Sequence, residues 1–520
     1  MQKGGGFDAP ADLGQNGAKL TPVTVLRPMP LRPQTVSPTR PFERLSPATL
    51  GFAGRDVALP AYDRKGLDIG IVHFGPGAFH RAHQAFFVDR LLRDDRRWGI
   101  CDVALRGTSV TEALSAQGGL YTIAEVSEES RYRVIGAVRE AIAARIFPQA
   151  VLARLISPAV RVVTMTVTEN GYCLTPAGDL DTARGEIAHD LAHREAPASA
   201  IGWLVEALHQ RRRAALPPFT MISCDNVADN GARLKRAVVQ FAHEQSPDLA
   251  RWIEGEARFP GTMVDSITPA SDEALKARVA LHLGAIDMVP VQREPFVQWV
   301  MEDVPGAFGP DWSAAGVTVT NDVAGYEQAK LRILNGAHST LAYLGLLRGR
   351  QATRDAMADA ALAHFVRQLV TEDIAPSLRP PPGFDVAAYI ETVLARIANP
   401  AIIHHLGQIA WDGSQKLPYR LFGAIREALA ASRPIARLCV PIAAWLRFVC
   451  ARTRDGIELV DPLAAQLHAV AEHCNGTGAH DVGLFLSLET IFPHDLAQDP
   501  HIRAALADAY DSIGTAGHIS

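Results

Sequence analysis

The fold of this chain of 520 residues is decided by residues 69–81, Ile69-Gly70-Ile71-Val72-His73-Phe74-Gly75-Pro76-Gly77-Ala78-Phe79-His80-Arg81. The apolar run at its start predicts a short buried strand, and the Gly-Pro-Gly turn that follows it opens a helix. A dinucleotide fingerprint needs this context, because one glycine permits the tight turn and the next lets the backbone approach a pyrophosphate. His80 stands where the usual pattern has its third glycine, and a plain turn is the alternative when the motif is taken alone.

The chain downstream of this turn alternates apolar runs with helical patterns. Buried strands are predicted at residues 100–105, 161–167 and 219–223, with helices between them at residues 82–92 and 199–215. Such alternation predicts a parallel sheet with crossover helices. A further short strand is predicted near residues 317–323.

From Lys330 to the end the pattern becomes helical. Helices are predicted at residues 330–347, 355–371, 386–398 and 421–431, with a proline-rich joint at residues 379–383. We therefore predict an α/β domain at residues 43–325, which starts with the candidate dinucleotide-binding turn, and a mostly helical domain at residues 326–520. Residues 1–42 are rich in Gly, Pro and Thr and are predicted to form a flexible extension.

Composition excludes several classes of protein. The net charge of −5, from 51 basic and 56 acidic residues, does not indicate a nucleic acid or an anionic membrane as partner. Six cysteines without a Cys-x-x-Cys pair do not indicate a zinc site or a disulfide framework, and they are typical of a cytoplasmic protein. The longest apolar stretch, residues 435–450, is interrupted by Arg437, Pro441 and Arg447, so no membrane span is expected.

A second informative segment brings an amine, a carboxamide and an imidazole close together. It runs Lys330-Leu331-Arg332-Ile333-Leu334-Asn335-Gly336-Ala337-His338-Ser339. On a helix with about 100° per residue, Lys330 and His338 lie roughly 80° apart, and Asn335 shares a face with His338. A lysine can act as a general base when burial lowers its pKa, while an amide holds a developing alkoxide and a histidine orients the substrate oxygen. The alternative is a solvated lysine on an amphipathic helix with a histidine in the core.

Two further features concern the cofactor and a metal. The strand at residues 100–105 ends without the acidic residue that commonly binds a ribose 2′-hydroxyl, and Arg106 there could meet the 2′-phosphate of NADP instead. His73, His80 and His83 could suggest a metal site, but no acidic residue or cysteine is placed to complete the ligand set. We therefore predict NAD, with NADP possible, and no metal.

Several segments together resemble the polyol-specific long-chain dehydrogenase family, which includes mannitol 2-dehydrogenases and fructuronate reductases. The matching segments are residues 71–84, Thr166-Val167-Thr168-Glu169-Asn170-Gly171-Tyr172, Ser223-Cys224-Asp225-Asn226, Phe259-Pro260-Gly261-Thr262-Met263-Val264-Asp265, the lysine segment, and Asp412-Gly413-Ser414-Gln415-Lys416-Leu417-Pro418. The resemblance covers residues from about 45 to 510. It implies a Rossmann-type domain followed by a largely helical one, an active site between them, no metal, and a monomer or small homo-oligomer.

The resemblance also implies roles for single residues. Lys330 matches the catalytic lysine, Asn226 and Asn335 match the asparagines that hold the oxyanion, and His338 matches the substrate-orienting histidine. Glu169 falls in the motif whose acid is expected near the lysine as a proton relay. The predicted cofactor-binding residues are Gly75, Gly77, Ala78, Phe79, Arg106 and Asp225.

The same resemblance favours a sugar acid as substrate. Several variable positions are more similar to fructuronate reductases, and Gln408 stands where mannitol-type members are expected to have an arginine. A uronate carboxylate needs a cationic subsite, for which Lys416 and Arg420 are candidates. Ser266 stands where the family usually has an arginine after the aspartate, which puts a local ion pair in doubt.

The leading hypothesis is therefore an NAD(P)-dependent dehydrogenase that interconverts D-mannonate and D-fructuronate. The alternatives are a mannitol 2-dehydrogenase or another polyol dehydrogenase, and more remotely a non-catalytic dinucleotide-binding sensor or a metal-dependent hydrolase.

Overall fold

The computed structural model describes residues 41–513, which from Phe42 onward belong to one compact unit. The predicted flexible extension lies outside the described residues except for its last two positions. No helix among the described residues is both long enough and apolar enough to cross a bilayer.

Twelve strands are found among the described residues. In chain order they are β1 Val57–Ala58, β2 Ile69–Phe74, β3 Gly99–Ala104, β4 Tyr121–Glu125, β5 Arg131–Ile135, β6 Val138–Ala143, β7 Val162–Met165, β8 Thr220–Ser223, β9 Thr262–Asp265, β10 Val291–Arg293, β11 Gln298–Glu302 and β12 Thr318–Thr320.

Nine α-helices accompany these strands. They are α1 Ala78–Ala82, α2 Gln84–Leu91, α3 Ser109–Ala116, α4 Pro148–Leu155, α5 Gly185–Ala192, α6 Ala200–Arg213, α7 Asn230–Gln245, α8 Pro247–Glu256 and α9 Glu273–Leu283. After β12 the described chain is helical. Its α-helices are α10 Val323–Ala329, α11 Gly336–Leu347, α12 Thr353–Met357, α13 Ala360–Gln368, α14 Val386–Ile397, α15 Leu406–Ile409, α16 Gly413–Leu417, α17 Gly423–Ala430, α18 Ala436–Arg454, α19 Ala464–Ala471, α20 Gly478–Phe485, α21 His494–Ala497 and α22 Pro500–Ile513.

The central sheet is parallel and has the strand order β6-β3-β2-β7-β8. The first βα turn leaves β2, whose neighbours are β3 on one side and β7 on the other. Ligands bind in such sheets at the carboxyl edge, where the strand order reverses. The predicted α/β fold with a mostly helical second part is confirmed.

Apolar residues cover both faces of this sheet because successive side chains of a strand point to opposite sides. Val72 and Phe74 belong to one buried cluster, and Ile71 belongs to another. A third and larger cluster fills the helical part.

Two smaller sheets were not foreseen. One has the order β1-β5-β4-β10 with an antiparallel β4–β5 pair, and the other has the order β12-β11-β9 with an antiparallel β9–β11 pair. The predicted strand near residues 317–323 is therefore real but belongs outside the parallel sheet. Alternating strand and helix patterns do not specify which sheet a short strand joins.

Three helix boundaries also differ from the sequence pattern. The helix predicted at residues 82–92 is broken at His83, where φ is −119° and ψ is −84°. The helix predicted to begin at Lys330 begins at Val323, because the Asp322 carboxylate caps it by accepting a hydrogen bond from the Gly325 N–H at 2.9 Å. The helix predicted at residues 355–371 is divided at Asp359, which caps α13 in the same way. The predicted domain boundary after residue 325 falls inside α10 and stays a prediction.

Three π-helical turns lie in the helical part, at Lys330–Asn335, Leu369–Ile374 and Pro418–Phe422. The first joins α10 to α11, so the segment with the predicted catalytic residues is a π-turn inside one long helix. Such turns are rare and frequently occur at functional sites.

Candidate active site

One cavity of about 830 Å³ brings together most of the predicted catalytic and substrate residues. It is lined by Asn226, Lys330, Asn335, His338, Lys416 and Arg420, together with Phe79 from the first βα segment. These residues come from the sheet's carboxyl edge and from the helical part. The cavity is therefore the place where a substrate can meet groups from both.

The Lys330 amine is buried and hydrogen-bonded on two sides. Its Nζ donates to Asn226 Oδ1 at 2.6 Å and to the Val264 carbonyl at 2.6 Å. Burial lowers the pKa of Lys330 and nearby Arg396 adds to the effect, while the carboxylates of Asp265 and Glu327 oppose it. The amine can therefore lose a proton more easily than a solvated lysine, as a general base requires.

Secondary structure explains how these groups meet. Asn226 follows β8 at the carboxyl edge of the parallel sheet, and Val264 lies in β9. Lys330 reaches both from the π-turn, although Asn226 and Val264 lie 104 and 66 positions before it in the chain. Because the Asn226 carbonyl oxygen accepts from the lysine, the Asn226 amide nitrogen is left to donate to a ligand.

Asn335 and His338 lie in the same cavity with uncommitted polar atoms. No hydrogen bond of the Asn335 side chain is found among residues 41–513, and His338 Nε2 is buried without a partner among those residues. Burial lowers the pKa of His338 well below its usual value, and neighbouring His404 and Arg420 lower it further. The imidazole is therefore neutral and can exchange a hydrogen bond with a substrate oxygen.

The two predicted cationic residues differ in their partners. Lys416 lies 3.6 Å from the Asp412 carboxylate. Arg420 donates from Nη1 to the Asn335 carbonyl at 3.3 Å and to the Ser339 hydroxyl at 2.7 Å, and within the described chain it has no carboxylate partner. Burial lowers the pKa of Arg420 to about 10, so a charged guanidinium with free donors faces the cavity.

The sequence pattern did not reveal a buried ion-pair network beside the lysine. Arg396 in α14 donates to both oxygens of Asp265 at 2.7 and 2.8 Å and to both oxygens of Glu294 at 2.8 and 2.9 Å. All three side chains are at most 5% exposed. The ion pair of Asp265 is thus made by Arg396, while Ser266 donates to the Phe296 carbonyl. No local sequence signal connects positions 265, 294 and 396.

Glu169 is not part of this cavity. Its side chain is 76% exposed and lies 3.9 Å from Arg233. Besides Asp265, the acid that acts on Lys330 is Glu327, one helical turn before it. Burial raises the pKa of Glu327 to about 7, with a further contribution from Asp229. The proton-relay role of Glu169 stays a prediction, and the spacing of three residues from Lys330 is the signal that could have found Glu327.

A second cavity, of about 400 Å³, lies at the first βα turn. It is lined by Gly75 and Gly77, by residues 104–107 after β3, and by residues 166–168 after β7. Gly75 has a φ of +95°, and a Cβ there would lie 2.2 Å from the Thr166 carbonyl oxygen. Only glycine fits at this position, which keeps the turn tight beside the cavity.

Arg106 lines this second cavity, but its charge is already paired. Arg106 Nη2 donates to Glu186 Oε1 at 2.7 Å, and Arg184 donates to the other oxygen of Glu186 at 3.2 Å. Glu186 also lines the cavity, so an acidic group stands beside the position where a 2′-phosphate would bind.

The other predicted cofactor residues have different places. Asp225 does not line the second cavity: its carboxylate accepts from the Val167 and Thr168 N–H groups at 3.2 and 2.8 Å and shapes that edge of the cavity indirectly. Ala78 packs against a buried apolar cluster, and Phe79 lines the Lys330 cavity. The cofactor contacts of these three residues stay predictions.

The three histidines of the first βα segment are engaged with protein groups. His80 Nε2 lies 3.0 Å from Asp102, His73 contacts Thr164 at 2.7 Å, and His83 contacts the Gln298 carbonyl at 2.8 Å. They therefore do not point at a common ligand.

Comparison with known proteins connects this geometry to a family. The model of the mannitol dehydrogenase Rossmann domain matches residues 69–313, and that of the mannitol dehydrogenase C-terminal domain matches residues 322–514. An uncharacterized oxidoreductase, YeiQ, of Escherichia coli strain K12 is 42% identical over 464 residues, which are 88% of this chain and 94% of that protein. The D-mannonate oxidoreductase of the same organism is 40% identical over 466 residues, 88% of this chain and 96% of that protein.

A solved structure is also similar over nearly the full length. It is the mannitol 2-dehydrogenase of Pseudomonas fluorescens in a ternary complex with NAD and D-mannitol, with a TM-score of 0.78, 34% identity, and coverage of 90% of this chain and 96% of that chain. The predicted enzyme class, a dehydrogenase acting on a CH–OH group, is confirmed by these matches. With both family domains matched in order, the chain belongs to the mannitol dehydrogenase family of oxidoreductases.

Proposed function

We propose that this chain is an NAD-dependent dehydrogenase that interconverts D-mannonate and D-fructuronate, with Lys330 as general acid and base. The observation that carries the sugar-acid substrate is Arg420. It is a partly buried guanidinium in the same cavity as Lys330, and among the described residues it meets no carboxylate. A buried charge is expensive unless it is paired, and a substrate carboxylate would pair with this one through charge-assisted hydrogen bonds.

NAD fits the cavity at the first βα turn. The Gly75 turn and the position between β2, β3 and β7 are those of a dinucleotide site in an open α/β sheet. The Arg106–Glu186 pair favours NAD over NADP, because a 2′-phosphate would have to displace or lie beside the Glu186 carboxylate. When bound, NAD supplies the acceptor or donor of the hydride.

In the oxidation direction, neutral Lys330 accepts the hydroxyl proton of the substrate. Its hydrogen bonds to Asn226 and Val264 hold Nζ in place for this transfer. In the reduction direction, the ammonium form returns the proton to the developing alkoxide. The lowered pKa of Lys330 keeps both forms accessible.

The amide groups stabilise the negative charge that develops on the substrate oxygen. Asn226 can donate through Nδ2 because its Oδ1 already accepts from Lys330, and the Asn335 amide is free to do the same. Donors that are in place before the reaction stabilise the transition state without reorganisation. Neutral His338, with Nε2 unpartnered, orients the same oxygen or its neighbour.

The experiment that tests this proposal is a substrate panel with purified protein, measuring NADH oxidation with D-fructuronate and with D-fructose. We expect kcat/KM for D-fructuronate to exceed that for D-fructose by at least about tenfold, as hydrogen bonds to a charged group predict. Faster turnover of D-fructose would favour the mannitol 2-dehydrogenase alternative. Turnover of neither, with tight NADH binding, would favour the dinucleotide-binding sensor.

Full activity after exhaustive chelation would exclude the metal-dependent hydrolase. A cytoplasmic location and a monomeric or small homo-oligomeric state stay predictions.

A further inference from the structure

A pair of thiols lies in a separate cavity of the helical part. Cys450 is near the end of α18 and Cys474 follows α19, and both line a cavity of about 480 Å³. The two sulfur atoms and a carboxylate oxygen of Asp481 all lie within 4.8 Å of one another. Both cysteines are partly exposed, whereas Cys101, Cys173, Cys224 and Cys439 are buried. A small reagent can therefore reach this pair.

The surroundings make the two thiols unequal. The closeness of the two sulfur atoms lowers the pKa of Cys450 and raises the pKa of Cys474, to which burial also contributes. The Cys474 thiol donates to the Val470 carbonyl at 3.7 Å. The Tyr510 hydroxyl lies 3.6 Å from the Cys450 sulfur, and the Arg447 guanidinium lies over the Tyr510 ring. Cys450 is therefore the better nucleophile, because the thiolate is the reactive form.

Asp481 is committed to the protein and does not point to a metal site. Its Oδ1 accepts from the Asn475 N–H at 2.8 Å, and its Oδ2 accepts from the Gly476 N–H at 2.9 Å and from the Tyr510 hydroxyl at 2.7 Å. These bonds hold the loop that carries Cys474. Two sulfur atoms alone are fewer ligands than a zinc site uses.

We propose that Cys450 and Cys474 form a reversible disulfide bond when the protein meets hydrogen peroxide. The Cys450 thiolate attacks one peroxide oxygen, the O–O bond breaks, and hydroxide leaves as Cys450 becomes a sulfenic acid. The Cys474 sulfur then attacks the Cys450 sulfur, the S–O bond breaks, and the S–S bond forms. In total two thiols lose two electrons and two protons, and one peroxide becomes two water molecules.

The bond would join α18 to the loop before α20. It would also protect Cys450 from the irreversible oxidation that follows when a sulfenic acid finds no second thiol. α18 packs beside α11, the helix that carries His338, and the rings of Tyr343 in α11 and Phe448 in α18 lie 5.5 Å apart. The thiol pair is thus a modification site on the helical layer that supports the active site.

The test treats the full-length protein with increasing hydrogen peroxide and maps its peptides by mass spectrometry without reduction. We expect a cross-link between the peptides containing Cys450 and Cys474, with loss of two hydrogen atoms, that dithiothreitol reverses. Cys439→Ser is the matched control, because it removes a buried thiol and leaves the pair intact. It should form the cross-link as the unmodified protein does.

Two single variants test the order of the steps. In Cys474→Ser, Cys450 should accumulate as a sulfenic acid that dimedone captures. In Cys450→Ser, Cys474 should stay reduced at the same peroxide concentration. Circular dichroism and dehydrogenase activity establish that each variant is folded before it is oxidised.

Three outcomes would overturn the proposal. One is the absence of a cross-link while Cys450 in Cys474→Ser also stays reduced, because the pair would then be inert. Another is preferential oxidation of Cys474 in the absence of Cys450. The third is one zinc ion bound per chain that blocks both thiols, which would make the pair a metal site.

Discussion

The two cavities of this enzyme are built in different ways. The cavity at the first βα turn is formed by residues that follow three neighbouring strands, and its key glycine comes directly after β2. The cavity around Lys330 is lined by residues from the ends of β8 and β9, from the first π-turn, from α16 and from the third π-turn, which carries Arg420. The first is a local motif on a sheet edge, and the second exists only when the helical part packs on the sheet.

Their electrostatics differ as well. In the turn cavity the Arg106 charge is cancelled by Glu186, whereas in the Lys330 cavity Arg420 is left without a counter-ion among the described residues. A dinucleotide site can be nearly neutral because backbone groups and glycine turns do much of the binding. A site for a small anionic substrate needs a positive side chain that pairs with the negative charge of the substrate. We expect variants in the Lys330 cavity to have the larger effects.

The largest effect is expected from removing the Lys330 amine. Lys330→Met should lower kcat by about 10³-fold, since a positioned acid or base contributes in this range, while NADH binding at the other cavity stays unchanged. Single-turnover kinetics and a fluorescence titration with NADH measure the two effects. Unchanged kcat with normal NADH binding would remove the lysine from the mechanism.

The next largest effect concerns stability. Arg396→Met leaves the buried carboxylates of Asp265 and Glu294 unpaired, and should lower the free energy of unfolding by about 3–5 kcal/mol. Arg367→Met, which removes an exposed pair with Glu391, is the matched control and should cost at most about 1 kcal/mol. Urea unfolding measures the free energy of unfolding of both variants. Equal losses of this free energy would mean that the buried network does not hold the sheet and the helical part together.

A smaller effect is expected on the preference between the two substrates. Arg420→Gln should lower kcat/KM for D-fructuronate by about 10- to 100-fold, because a hydrogen-bonded charge pair is lost. In this variant kcat/KM for D-fructose should change by less than about threefold. Arg426→Gln is the control: its partner Asp495 is exposed, and kcat/KM for both substrates should change by less than about threefold. Steady-state kinetics on both substrates measure these changes. An equal loss of kcat/KM on both substrates would mean that Arg420 contributes to packing and not to binding of the carboxylate.

At the turn cavity the expected effect is modest. Glu186→Gln removes the acid that pairs with Arg106, and should raise the ratio of kcat/KM for NADPH over NADH by about fivefold. Glu391→Gln, which also removes an exposed acid paired with an arginine but does not line the cavity, provides the control. A fall in the ratio would mean that Glu186 holds Arg106 in place for a phosphate instead of opposing it.

The smallest expected effect is a shift of the pH profile. Oxidation needs neutral Lys330, so its rate falls as the pH drops through the pKa of the lysine. Ionised Glu327 raises that pKa, and Glu327 itself has a pKa of about 7. Glu327→Gln should therefore move the acid limb of the profile of log kcat/KM to lower pH by less than about one unit, and only where Glu327 would be ionised.

Glu169→Gln is the matched control for this shift. Its side chain is exposed beside Arg233, and the profile should stay in place. If Glu169→Gln moves the profile and Glu327→Gln does not, then the sequence-based relay through Glu169 is right and the relay through Glu327 is wrong.

Particular residues show which features of the fold and of the site could be predicted from the sequence. The strand at residues 69–74 and the turn after it were found correctly because apolar periodicity and glycine act within a few positions. Lys330, Asn335 and His338 could be proposed together because they lie within nine positions, and their common cavity agrees with that proposal. Asp225 and Ala78 were assigned to the cofactor by the resemblance, and the long-range contacts that they make, to the Val167 N–H and to an apolar cluster, could not be predicted from the sequence.

The sequence by itself determined the α/β pattern, the glycine turn, the order of the family segments and the chemistry available at Lys330. Tertiary structure decided which acid faces the amine, which arginine pairs with Asp265, and which cation keeps a free charge in the cavity. The physical reason is range: hydrogen bonding and apolar periodicity act between near neighbours in the chain, whereas burial and charge pairing depend on distances in space between residues that can be far apart in sequence.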